Sequence, residues 1–144
     1  MKLNMFQNKE WRKRMLVTFL VAFAVFMIID LIWLGVIAAP FYRNQIGFLM
    51  AKKVNWGAAV LFYLIFIAGM VIFVIEPALQ AQSFTSALVM GALFGLVTYA
   101  TYDLTNFATL EGWPLTLVIV DIVWGMSLSV LVSSITYLII NAFF

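Results

Sequence analysis

Four long apolar runs, about 15–39, 56–75, 84–108 and 115–140, occupy most of this 144-residue chain. Each is long enough to cross a hydrocarbon layer that takes about 20 residues of helix. Backbone polar groups inside such a layer must be satisfied within the segment, so the runs are expected to be helices. The connections between them are short, which implies antiparallel neighbours. The expected fold is an all-α membrane protein, a single integral domain built as an antiparallel up-down four transmembrane helix bundle. A soluble globule is excluded: 66% of residues are apolar, 10% are charged and the mean hydropathy is +1.12, against roughly half apolar and a quarter charged in soluble domains.

The punctuation between runs is polar or conformationally restrictive. Lys2, Lys9, Arg12, Lys13 and Arg14 precede the first run, and Pro40 is expected to stop it. An apolar stretch this long exceeds the roughly 7–15 residues of a signal-peptide core, so it is read as a span. Residues 40–53 mix Phe41, Phe48 and Leu49 with Arg43, Lys52 and Lys53. They read as a short interfacial segment at headgroup level between helices 1 and 2. Glu76-Pro77 is expected to close the second run, which carries no charge and reads as a lipid-facing support helix. Basic residues lie only before the first run and between the first two. That bias places both termini in the cytoplasm of a bacterial inner (plasma) membrane.

Absent residue types narrow the chemistry. With neither cysteine nor histidine, there is no thiolate nucleophile, no imidazole base and no ordinary zinc or haem ligation. No metal and no cofactor are expected. The formal charge is +2, with no basic stripe, so the expected counter-charges are membrane lipid headgroups and no nucleic acid is expected as a partner.

The informative residues are Asp30, Asp103 and Asp121, one in each of runs one, three and four. An aspartate in mid-span costs on the order of 3 kcal/mol on insertion scales. At ~1.5 Å rise per residue, all three fall within roughly 8–14 Å of the same membrane face. Asp30 is followed by Trp33 and Gly35 in DLIWLG, and Asp121 by Trp124 and Gly125 in DIVWG. Each acid therefore has a tryptophan one helical turn away. In YATYDLTNFATL, Tyr99 and Asp103, Tyr102 and Asn106, and Asp103 and Asn106 are spaced to hydrogen-bond along one helix flank. Gly35, Gly91, Gly95 and Gly125 are expected packing positions, the last with Ser129 and Ser133 as a small-residue stripe. Three carboxyls without a cationic partner repel one another in a poorly solvated place, so at least one is expected to hold a proton that it can exchange for a cation.

Taken together, DLIWLG, FYRNQIG, NWGAAVLFY, YATYDLTNFATL, GWP and DIVWG resemble an uncharacterised family of bacterial four-span membrane proteins, domain of unknown function 2177. The resemblance covers about 16–140. It implies that Asp30, Trp33, Gly35, Tyr102, Asp103, Asn106, Trp113, Pro114, Asp121 and Trp124 form one shared pattern, and it brings no reaction or substrate.

Three kinds of function fit these residues. The preferred one is binding or transport, in which Asp30, Asp103, Asp121 and Asn106, walled by Trp33, Tyr99, Tyr102 and Trp124, take a proton, a cation or an amphipathic cationic ligand through charge and ring faces. Small four-span drug exporters also use a membrane-embedded acid and act as dimers, an analogy that suggests a homodimer here. The second is an enzyme acting on a lipid or lipid-linked substrate with Asp103 and Asp121 as acid and base, although no nucleophile motif or phosphate-cradling loop accompanies them. The third is assembly into a larger membrane complex, the acids pairing with basic residues of another chain.

Overall fold

A computed structural model describes residues 9–144; Lys2 lies outside them. Every regular element among them is helical: α1 (Lys9–Ile32), α2 (Ala39–Ile46), α3 (Trp56–Met70), α4 (Glu76–Gln80), α5 (Phe84–Thr109) and α6 (Leu115–Phe143). Four continuous stretches, Lys9–Ile37, Trp56–Gln80, Phe84–Thr109 and Leu115–Phe143, are long and apolar enough to cross a membrane.

Two of these stretches contain a π-helical turn, Trp33–Ile37 after α1 and Val71–Ile75 between α3 and α4. The wider turn is visible in its hydrogen bonds, from Ala38 N–H to the Trp33 carbonyl at 2.7 Å and from Glu76 N–H to the Val71 carbonyl. A proline follows within three residues in each case, Pro40 and Pro77. Proline lacks the N–H of a regular helix and its ring presses on the carbonyl four residues back. A π turn lets the backbone absorb both defects and continue. Pro77 therefore does not close the second span, as its sequence suggests; that stretch runs on to Gln80. The first helix likewise begins at Lys9, so Arg14 rides on it rather than preceding it.

The main core is formed by Phe26 of α1, Ile67 and Met70 of α3, Ile75 of the π turn, and Leu128, Val132 and Ile140 of α6, each at most 2% exposed. From Phe66 onward the second span therefore buries one face in the core, which corrects its reading as a lipid-facing support. Leu61, Ile65, Val97, Ile119 and Leu138 face outward. Ser83 and Asn55 cap α5 and α3 by accepting backbone N–H bonds at 3.1 Å.

The most extensive helix contact joins α5 and α6, and glycine makes it close. A Cβ on Gly95 would collide with the Gly125 backbone, one on Gly125 with the Tyr99 ring, and one on Gly91 with the Ser133 hydroxyl while lying 3.1 Å from the Ser129 carbonyl oxygen. Ser133 in turn donates across the seam to the Ala87 carbonyl at 3.0 Å. Gly35 is different: a Cβ there meets nothing within 4 Å. It lies exposed on the π turn, so its expected packing role is not found.

At the other end of these helices Arg14 forms an ion pair with Glu76, and Gln80 donates to the same carboxylate oxygen at 3.1 Å. The pair ties α1 to α4, with the Glu76 side chain 7% exposed and that of Arg14 29%.

Candidate functional site

Asp30, Asp103 and Asp121 are all buried, at 5%, 0% and 7% exposure, and each has different surroundings. Asp30, on α1, accepts a hydrogen bond from the Tyr63 hydroxyl of α3 at 3.2 Å. The Trp124 indole interacts with the same carboxyl at longer range, without closing a hydrogen bond. Asp121, on α6, accepts from the Tyr42 hydroxyl. Asp103, on α5, has no donor for either of its oxygens. Its carboxyl instead lies beside the Asp121 carboxyl, close enough for the two to interact.

These observations on Asp103 describe one arrangement. Two ionised carboxylates have only acceptors to offer each other, so a bond between them forms only when one carries a proton. The unpartnered oxygens of Asp103 thus face a second carboxyl, an arrangement with room for a shared proton between the two.

The tryptophans of the two repeated motifs meet in the middle of the site. Trp33 and Trp124 stack with ring centroids 4.2 Å apart and planes 8° from parallel. Trp33 then donates its indole N–H to the Tyr42 oxygen at 3.2 Å. A chain of donors runs from Trp33 through Tyr42 to Asp121. Tyr42 belongs to the short α2, which packs with Phe41 and Ile46 against a small cluster of Trp113, Leu117 and Val118. Burial first, then the bond to Asp121, push the Tyr42 phenol well above its ordinary value, so it stays a neutral donor across the physiological range.

Tyr99 links the two carboxyl centres. Its ring lies over Gly125, and its phenol is within electrostatic reach of both Asp30 and Asp121. It does not bond to Asp103, and neither does Asn106; those two expected flank contacts are absent because Asp103 turns toward α6. Asn106 lies instead near the hydroxyl of Tyr102, whose ring packs edge-on to Trp113 at 5.9 Å and 80°. Tyr102 is 56% exposed and stands at the rim. Beside Asp121 opens a cleft of about 280 Å³, lined by Phe62, Phe66, Thr98, Tyr99, Tyr102 and Asp121. Among the described residues, no three acidic side chains converge to hold a metal ion.

Tyr42 and Tyr63 are site residues that sequence reasoning missed. Each is distant in sequence from the acid it serves, by 79 and 33 residues. A tyrosine in an apolar run looks like any other large side chain, and only the need of a buried carboxyl for a donor hints at such a partner.

Among known proteins, residues 15–138 match a family whose description reads predicted membrane protein, DUF2177. No curated protein and no solved structure matches the chain.

Proposed function

Since the chain belongs to the DUF2177 family of predicted membrane proteins, we propose that it is an inner-membrane bundle whose Asp103–Asp121 pair binds a proton and exchanges it for a cation. Its four long helices cross in alternate directions, with residues 40–53 at headgroup level and both termini in the cytoplasm. Contacts along α5 and α6 support the alternation: Gly91 meets Ser133, whereas Tyr99, further along α5, meets Gly125, which is earlier on α6. The excess of basic residues before the first span supports the orientation.

The observation that carries the reading is Asp103, fully buried with neither oxygen satisfied and a second carboxyl opposite. Two unit charges about 4 Å apart repel by about 4 kcal/mol at an effective dielectric of 20. One proton replaces that repulsion with a hydrogen bond, and one cation has the same effect. Alternation between these two occupants is the elementary step of a proton-coupled transporter. An Asp103 serving only as packing would be expected to carry its own donor, as Asp30 does with Tyr63 and Asp121 with Tyr42.

Dicyclohexylcarbodiimide, an apolar reagent that adds to protonated carboxyls, tests this on the purified full chain by intact mass and peptide mapping. The expected result is one adduct on Asp103 or Asp121, slowed by Na⁺, K⁺ or methylammonium and absent in Asp103→Asn. Labelling confined to Glu76, or labelling that none of these cations slows, overturns the reading.

A further inference from the structure

The cleft beside Asp121 has a composition that selects its occupant. Phe62, Phe66, Tyr99 and Tyr102 give it aromatic walls, and Asp121 is its one charged group. The Thr98 hydroxyl is already committed to the Phe94 and Gly95 carbonyls, at 2.8 and 3.2 Å. Phe62 and Tyr102, 48% and 56% exposed, stand at the mouth, on the apolar outer surface of the bundle. A hydrated inorganic ion has no reason to cross such a rim. An apolar body carrying one positive charge matches both the walls and the carboxyl, because ring faces attract cations as well as covering apolar surface.

Tyr42 adds a further requirement. Its hydroxyl occupies Asp121 Oδ1 while being held from behind by the Trp33 indole. With Asp103 already lacking a donor beside it, stripping Asp121 of its own would leave a second buried carboxyl unsatisfied, which is costly. A ligand that takes the carboxyl from Tyr42 must bring an N–H of its own, which a quaternary ammonium lacks.

We infer that the cation is a membrane-soluble ammonium ion with an apolar substituent, and that its N–H displaces Tyr42 from Asp121. This rests on the carboxyl-pair reading above and names the ligand class of that site. Tyr42 is a competitor in this scheme: it satisfies Asp121 when the cleft is empty and yields when it is filled.

Three probes of similar shape test the inference on the full chain in detergent, by calorimetry and tryptophan fluorescence: benzylammonium, benzyltrimethylammonium and benzyl alcohol. Benzylammonium is expected to bind at least about tenfold more tightly than the other two, equivalent to about 1.4 kcal/mol. Asp121→Asn is expected to remove that preference. Tyr42→Phe, which deletes the competing hydroxyl and keeps the ring, should tighten benzylammonium several-fold, and Trp33→Phe, which frees Tyr42, should do so to a smaller extent. Equal binding of the three probes marks an unselective apolar cleft and overturns the inference, as does unchanged or weaker binding in both variants. Should carbodiimide still label Asp103 or Asp121 and Na⁺ protect it while benzylammonium does not, only the ligand class fails; absence of that labelling removes the underlying reading as well.

Discussion

Trp33 and Trp124 stack face to face, 4.2 Å between ring centroids and 8° from parallel, although 91 positions separate them in the chain. Each sits one turn after an aspartate, so the stack ties α6 to the π turn that continues α1, next to where those acids are buried. Parallel indoles at this distance couple their electronic transitions, which gives a paired signal in near-ultraviolet circular dichroism. That signal is expected to vanish in Trp33→Phe and in Trp124→Phe alike. The stacking itself is worth about 0.5–1.5 kcal/mol beyond area burial, so each variant should unfold at a slightly lower denaturant concentration. A signal that survives either substitution excludes the stack.

The glycine seam makes a sharper contrast. Gly95→Ala places a methyl group into the Gly125 backbone, which has no flexible end to move aside. Overpacking of this kind costs about 1–3 kcal/mol. Gly35→Ala fills open space and is expected to change stability by less than about 0.5 kcal/mol. Thermal unfolding of the two variants in the same detergent checks both figures. Equal melting temperatures for the two would mean that α5 and α6 do not meet at Gly95.

Glu76 and Arg14 test the packing at the opposite end. Removing one member of a buried ion pair strands the other charge, at about 3–5 kcal/mol. Here Arg14 is 29% exposed, so water relieves a stranded arginine more readily than a stranded glutamate. Arg14→Gln should therefore destabilise more than Glu76→Gln, and the double variant should lie closer to wild type than the sum of the singles. A double-mutant cycle read by chemical unfolding checks this; strict additivity removes the pair.

Much of this architecture is legible in sequence because a bilayer leaves few options. The four apolar stretches follow from run length alone, and Asp30, Asp103 and Asp121 stand out as acids where acids are costly. The close α5–α6 contact is foreshadowed by Gly91, Gly95 and Gly125. What escapes is pairing across the bundle. Nothing local says that Tyr42 serves Asp121, that Tyr63 serves Asp30, or that Arg14 reaches Glu76, since each bond depends on helix rotation and register. Pro77 misleads for another reason: proline predicts a break, whereas the widened turn at Val71–Ile75 lets the second span carry on to Gln80. Gly35 misleads because glycine marks close packing only where a neighbour is present.

The Asp103–Asp121 pair separates a binding site from structural glue by the sign of a stability change. Asparagine has nearly the shape of aspartate, carries no charge and brings an N–H₂ that Asp121 can accept. If the pair exists to bind, the protein tolerates an unsatisfied buried carboxyl, and Asp103→Asn should relieve it, raising stability by about 0.5–2 kcal/mol in the manner of function-costly stabilising substitutions. Asp30→Asn has the opposite expectation, because Asp30 already accepts from Tyr63 at 3.2 Å and loses the charge-assisted part of that bond, worth about 1 kcal/mol. Unfolding midpoints of the two variants against wild type check the pair of signs. A destabilised Asp103→Asn would mean that the carboxyl pair holds the helices together, and the binding reading would lose its main support.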